Sequence, residues 1–71
     1  MAMPMKVIED MLNKRISILM KDNRVLEGVL VGFDEYMNII IKETEEKMND
    51  SIKKLGLVVV RGSNILRIAT V

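Results

Sequence analysis

The chain has 71 residues, of which 49% are hydrophobic, with no cysteine, no histidine and a formal net charge of +1. The lack of cysteine and histidine excludes disulfides, argues against a structural zinc site and removes the usual nucleophile–base pairs of enzymes. We therefore expect no metal, no cofactor and no catalytic residue. The near-neutral charge also argues against a protein that coats nucleic acid through phosphate contacts alone. A domain of this size has a marginal core, so oligomerisation is the expected source of further stability.

No stretch of the sequence is typical of export or membrane insertion. Residues 1–6 lack the apolar run and the cleavage site of a signal peptide. The longest apolar runs, such as residues 57–60, are far too short to span a bilayer. Because the absence of cysteine is also compatible with a reducing compartment, we expect a cytoplasmic protein.

The first predicted element is a short amphipathic helix over residues 4–12. Pro4 suits the first position of a helix, because its missing N–H would be unpaired there anyway. The apolar side chains that follow fall on one helical face, and they are Val7, Ile8, Met11 and Leu12. Such a short helix is unstable alone and must lie on an apolar surface.

A hairpin of two strands is predicted next, over residues 15–20 and 24–33. The first strand shows a period-two alternation, and the intervening Lys21-Asp22-Asn23 is typical of a turn. Gly28 and Gly32 are four residues apart, so both remove a side chain from the same face of the second strand. This pattern predicts a strand bent sharply enough to serve two sides of a small barrel.

Three more strands are predicted in the rest of the chain. The third covers residues 37–43, and the polar, charge-balanced residues 44–54 are expected to form a solvated hairpin extension or loop. The fourth, residues 55–60, is apolar on both faces, which is typical of a strand buried on both sides, one of them against another subunit. Gly62-Ser63-Asn64 predicts a tight turn before a final strand over residues 65–70.

The expected fold class is therefore all-β with one short N-terminal helix, in a small, strongly bent, five-stranded antiparallel barrel. A single domain accounts for residues 1–71. The terminal strands would leave two open edges, and unpaired edges invite pairing with another chain. Edge-to-edge pairing of identical copies is head-to-tail, and it gives a ring if the rotation closes.

Two stretches of the chain resemble the motifs of a known family. Residues 24–43 resemble the first Sm motif and residues 55–70 the second, with a charged variable loop, residues 44–54, between them. The matching residues are Gly28 and Gly32-Phe33-Asp34-Glu35-Tyr36-Met37-Asn38 in the first motif, and Gly56 and Arg61-Gly62-Ser63-Asn64 in the second. The leading helix and Lys14-Arg15 extend the resemblance over nearly the whole chain. The sequence is thus similar to Sm-like (LSm) proteins of the archaeal kind.

This resemblance implies the Sm fold, an SH3-like barrel, and a ring of commonly seven copies joined through strand four of one and strand five of the next. Family members bind single-stranded, uridine-rich RNA at the inner rim of the pore. The contact loops correspond to residues 34–38 and 61–64. The implied function is a scaffold or chaperone in RNA processing or turnover, with RNA-processing proteins as further partners.

The residue types in these loops suit single-stranded RNA, which is read by stacking on base faces and hydrogen-bonding base edges. If the loops lie side by side, a base fits between the Tyr36 ring and the flat Arg61 guanidinium, and the Asn38 amide matches a uracil edge. The predicted RNA-binding residues are Tyr36, Asn38, Arg61, Gly62 and Ser63, and Asp34 and Asn64 are predicted to structure the loops. Many relatives carry His in place of Tyr36 and Asp in place of Ser63. The tyrosine of this chain preserves stacking, and its serine has a shorter polar reach than aspartate.

Other roles stay open for these residues. Tyr36 could pack on a neighbouring subunit, Asn38 could satisfy loop backbone groups, and Arg61 could pair with Asp34 or Glu35. Phe33 is expected in the core. The alternative function is a structural or protein-interaction ring without RNA contact, and the alternative branch is the six-membered bacterial RNA chaperones, against which the Arg61-Gly62 pair argues.

Overall fold

The computed structural model describes residues 4–71, which form one helix and a single five-stranded sheet. The elements are α1 (Met5–Glu9), β1 (Arg15–Met20), β2 (Val25–Phe33), β3 (Ile39–Met48), β4 (Ser51–Val60) and β5 (Ile65–Thr70). The strand order is β4-β3-β2-β1-β5, and every neighbouring pair is antiparallel. The fold class expected from the sequence is confirmed.

The core lies on one face of this sheet, because alternate residues of β1 and of the first part of β2 are buried. The helix contributes Ile8, which is fully buried. The other buried core residues are Ile16, Ile18, Met20, Leu26, Leu30, Ile39, Ile41, Val60, Ile65 and Ile68.

Gly28 lies at a close approach of β3 to β2. The pairing register shifts between Glu27 and Val29, and a Cβ on Gly28 would lie 2.8 Å from the backbone oxygen of Lys42. A larger residue would therefore push β3 away. Gly32, the second glycine of the predicted bend, has no such constraint, since its Cβ would have the Cδ1 atom of Ile40 as its nearest neighbour at 3.8 Å. Of the two, only Gly28 is required by a close approach of backbone.

The helix is shorter than the predicted range of residues 4–12. It ends at Glu9, and the chain continues in turns in which the N–H groups of Met11 and Leu12 donate to carbonyls three residues earlier. Asn13 then adopts a φ of 66°, a conformation that asparagine tolerates better than most residues. Met11 and Leu12 still pack against the core beside Ile8, but Val7, the fourth residue of the predicted apolar face, is exposed.

Strands β3 and β4 depart most from the predicted boundaries. β3 begins at Ile39 rather than at residue 37, because Met37 belongs to the loop: it has a φ of 63° and its N–H donates to the Asp34 carbonyl. It then runs to Met48, and β4 begins at Ser51 rather than at residue 55. Residues 44–54 are therefore a hairpin extension, with register shifts on both sides of Thr44 and a turn at residues 49–50. Of the two forms that the sequence left open, this is the hairpin extension and not the loop.

Ion pairs to neighbouring parts of the sheet accompany this extension. Charges that look merely solvated in the sequence meet partners that are distant along the chain: Arg15 Nη2–Glu45 Oε1 (3.3 Å), Arg24 Nη1–Glu46 Oε2 (3.1 Å) and Lys47 Nζ–Glu27 Oε2 (2.8 Å). Glu46 is itself buried. Arg24 also binds Asp22, and these contacts raise the pKa of the Arg24 guanidinium and lower that of the Asp22 carboxyl.

The two ends of the sheet carry exposed apolar side chains. Leu57 and Val59 on β4 are 70% and 64% exposed, and Leu66 on β5 is 52% exposed. Within residues 4–71, the outer edges of β4 and β5 have no strand beside them. The apolar face that the sequence assigned to another subunit is thus uncovered in the single chain. None of the helices in the described part of the chain has the length and apolar character needed to cross a membrane.

Candidate functional site

The loop between β2 and β3 is organised by the Asp34 carboxylate. Its Oδ1 accepts hydrogen bonds from the backbone N–H groups of Tyr36 (2.9 Å) and Asn38 (3.0 Å). Its Oδ2 accepts one from Asn38 Nδ2 (2.9 Å). The backbone closes the same loop, since Met37 N donates to the Asp34 carbonyl and Asp34 N donates to that of Asn38, both at 3.1 Å.

These contacts also set the charge state of Asp34. The Asn38 side-chain amide, and after it the backbone N–H groups of Asn38 and Tyr36, lower the pKa of the carboxyl below its usual 3.8. The group is therefore ionised at neutral pH. The three hydrogen bonds that it accepts all come from the loop itself.

The second loop begins at Arg61, which has an extended backbone, and continues in a 3₁₀ turn over Gly62–Asn64. Asn64 N donates to the Arg61 carbonyl at 3.0 Å, and the Asn64 carbonyl accepts from Lys21 N at 2.9 Å. The backbone of Asn64 thus closes this loop and joins it to the turn between β1 and β2.

The two loops meet at Gly62. Its N–H donates to Asn38 Oδ1 at 3.0 Å, which links the second loop to the side chain that Asp34 orients. A Cβ on Gly62 would overlap the backbone oxygen of Tyr36 and would lie 2.8 Å from the carbonyl carbon and oxygen of Met37. Only glycine allows this approach, because the neighbouring atoms are backbone and cannot rotate away.

A surface groove of about 560 Å³ lies between the loops. Its lining residues are Glu35, Tyr36, Met37, Asn38, Arg61, Gly62 and Ser63. All five residues that the sequence predicted to contact RNA therefore line one groove. The Tyr36 ring is 74% exposed, and within residues 4–71 Arg61 forms no ion pair, so neither Asp34 nor Glu35 neutralises it.

Asn38 fills one of the roles that the sequence left open, the pairing of a loop backbone group, and it also lines the groove. The backbone group is the N–H of Gly62. An amide nitrogen has two N–H donors and an amide oxygen has two lone pairs. One of each is used by Asp34 and Gly62, so one donor and one acceptor are left for a ligand.

Sequence reasoning passed over Glu35 and Met37 as lining residues. The only sequence signal that these two residues line the groove was that they flank Tyr36. The direction of each side chain depends on the loop backbone, which includes the positive φ of Met37. Phe33 packs against the core, as expected, and also lines a second groove beside Arg61, about 400 Å³ in volume, together with Asp34, Asn38, Ile40 and Val59.

Comparisons with known proteins agree with this fold. Residues 6–70 match the family model for the LSM domain. A Methanococcoides burtonii protein described as an Sm-like snRNP protein is 36% identical over 67 residues, which cover 93% of each chain. The structure of the P. aerophilum SmAP1 heptamer is similar with a TM-score of 0.92, 30% identity and coverage of 100% of this chain and 96% of that one. The Pyrococcus abyssii Sm protein in complex with a uridine heptamer is similar with a TM-score of 0.90, 28% identity and coverage of 99% and 100%.

Proposed function

The chain belongs to the LSM domain family, and on this premise we propose that it forms a homo-oligomeric ring that binds single-stranded, uridine-rich RNA at the pore rim. The observation that carries the proposal is one groove lined by Tyr36, Asn38 and Arg61. Tyr36 is exposed, Arg61 forms no ion pair within residues 4–71, and hydrogen bonds fix the orientation of the Asn38 amide. Such a ring acts as a scaffold or chaperone in RNA processing or turnover, and it is not an enzyme.

Stacking supplies the first part of the binding. An exposed aromatic ring and a planar guanidinium lining one groove offer flat surfaces to an unstacked base. Base–aromatic stacking contributes about 1–3 kcal/mol per base and depends little on which base is bound. Tyr36 and Arg61 therefore give affinity for single strands, and the choice of base falls to a hydrogen-bonding group.

Asn38 is that group, and its orientation decides which base it reads. Its nitrogen faces the Asp34 carboxylate and its oxygen faces the Gly62 N–H, so the amide cannot turn over without losing both bonds. The remaining N–H and lone pair suit a base edge with an acceptor beside a donor, as in the O4 and N3–H of uracil. Cytosine places a donor, its N4 amino group, where uracil has O4. The fixed amide therefore favours uridine over cytidine.

Ring formation is supported by the uncovered edges of β4 and β5 and by their exposed apolar residues, Leu57, Val59 and Leu66. The similar P. aerophilum protein is a heptamer, and we propose seven copies here also. A ring repeats one base-sized groove, and linked sites raise the overall affinity through effective concentration. This repetition lets a chain with a net charge of only +1 hold RNA firmly.

The experiment is fluorescence polarisation of labelled oligouridine at low salt, with wild type and with matched pairs of variants. Tyr36→Phe retains the ring and should bind like wild type, whereas Tyr36→Ala should lose about tenfold or more in affinity. Arg61→Lys retains the positive charge but not the planar guanidinium. It should lose nearly as much affinity for oligouridine as Arg61→Ala, because stacking and not charge is the main contribution of Arg61.

Ring integrity is checked for each variant by sedimentation. The proposal is wrong if wild type gives no polarisation change with oligouridine, or if both alanine variants bind like wild type. In the first case a structural or protein-interaction ring becomes the better account, and in the second case the RNA is bound outside this groove.

A further inference from the structure

Glu35 is a carboxylate that lines the proposed RNA groove and takes no part in the hydrogen bonds between the two loops. It lies at the exposed tip of the loop between β2 and β3 and lines the same groove as Tyr36, Asn38 and Arg61. A carboxylate repels phosphate, so Glu35 does not serve to bind the RNA backbone phosphates. Its presence in the groove points to a different group of the RNA.

The two carboxylates of this loop differ in what they can still accept. The Asp34 oxygens already accept three hydrogen bonds from the loop. Glu35 forms no ion pair and no side-chain hydrogen bond among residues 4–71, so its acceptor capacity is free. An ionised carboxylate only accepts hydrogen bonds, so its ligand must be a donor.

Single-stranded RNA has two kinds of donor, the N–H groups of the bases and the ribose 2′-hydroxyl. The N3–H of a uracil is accounted for by the remaining lone pair of Asn38. The 2′-hydroxyl is then the donor without a partner, and it is the group by which a protein distinguishes RNA from DNA.

We propose that Glu35 accepts a hydrogen bond from the 2′-hydroxyl of a uridine held between Tyr36 and Arg61, an inference that rests on the proposed function. This contact makes Glu35 the specificity-determining residue that selects ribose over deoxyribose. A hydrogen bond to a charged acceptor is stronger than one between neutral groups. Deoxyuridine lacks the donor, so it brings its phosphates near the carboxylate without compensation.

This role leaves a signature that a merely structural one does not. Loss of the carboxylate removes both the acceptor for ribose and the repulsion of phosphate. Affinity for deoxyribose oligomers should therefore rise or hold while the preference for ribose falls. A variant that only damaged the loop would lower the affinity for both.

The test measures polarisation of labelled oligouridine and of oligodeoxyuridine of the same length, with wild type, Glu35→Gln and Glu35→Ala. Wild type should prefer the ribose oligomer by about tenfold or more. Glu35→Gln keeps a neutral acceptor and should give an intermediate ratio, and Glu35→Ala should give a ratio near one. Glu9→Gln is the matched control, since Glu9 is an exposed carboxylate on α1 outside the groove, and it should keep the wild-type ratio.

Two results would overturn the inference, and they are distinguishable. If wild type binds oligouridine but both Glu35 variants keep the wild-type ratio, the role of Glu35 is wrong and the proposed function stands. If wild type binds neither oligomer, the proposed function fails and the inference fails with it.

Discussion

At the scale of single residues, the loop between β2 and β3 depends on Asp34. Its carboxylate holds two backbone N–H groups and the Asn38 amide, and these bonds lower its pKa below 3.8. A carboxyl whose folded-state pKa is depressed contributes stability that is complete above the unfolded-state pKa and disappears as pH falls through the folded-state value. The Asp34 contribution is therefore present at neutral pH and is lost as pH falls below 3.8 and through the lowered folded-state pKa.

Asp34→Asn should lower the Tm by several degrees at neutral pH, because an amide cannot accept all three hydrogen bonds. The difference in Tm from wild type should shrink as pH falls through the folded-state pKa of Asp34, which lies below 3.8, since protonated Asp34 also loses acceptors. Thermal unfolding at several pH values measures it. The control Glu9→Gln should show no such convergence, and a constant difference for Asp34→Asn at all pH values would contradict this account.

Residue chemistry was the most predictable part of the site. Tyr36, Asn38 and Arg61 stand out in the sequence because an aromatic ring, an amide and a guanidinium occur in loops without a packing purpose. The hydrogen bond from Gly62 to Asn38 was not predictable, because it joins residues 24 apart whose backbones must first approach. Glu35 was passed over for a related reason, since its groove exists only when both loops are in place.

At the scale of elements, the site is a contact between two loops, and Gly62 sets its spacing. Gly62→Ala would place a methyl group against the backbone oxygen of Tyr36 and within 2.8 Å of the Met37 carbonyl. The loops must separate, and the hydrogen bond to Asn38 is lost. Overpacking of this kind costs about 1–3 kcal/mol.

We therefore expect Gly62→Ala to weaken oligouridine binding about tenfold or more, with polarisation as the measurement. The matched control is Gly32→Ala, whose methyl group would have its nearest neighbour at 3.8 Å and should leave binding unchanged. Equal affinities for the two alanine variants would show that the spacing of the loops does not govern the groove.

The strands show what period and composition can and cannot predict. β1 has the predicted bounds because its alternation is regular and its apolar face is fully buried. The extension of β3 to Met48 was ambiguous, because its charged residues are typical of a solvated loop. Their partners, such as Glu27 for Lys47, lie on other strands and become visible only in the folded chain. Helix α1 ended early for a local reason, the turns that lead to Asn13.

At the scale of the whole molecule, the chain leaves apolar surface at both sheet edges that a single copy cannot cover. Leu57 and Val59 on β4 and Leu66 on β5 are all more than half exposed. Unpaired edges of this kind are an aggregation hazard unless another strand covers them. Head-to-tail pairing of β4 with the β5 of the next copy covers both edges at once, and closure leaves none open.

Sedimentation velocity of the purified protein at micromolar concentration tests this central claim most directly. The proposed ring predicts one sharp species with the mass of seven chains and no detectable monomer, because both edges of every copy are then covered. A well-folded monomer as the dominant species would contradict the ring, and with it the repeated grooves on which the proposed RNA binding depends.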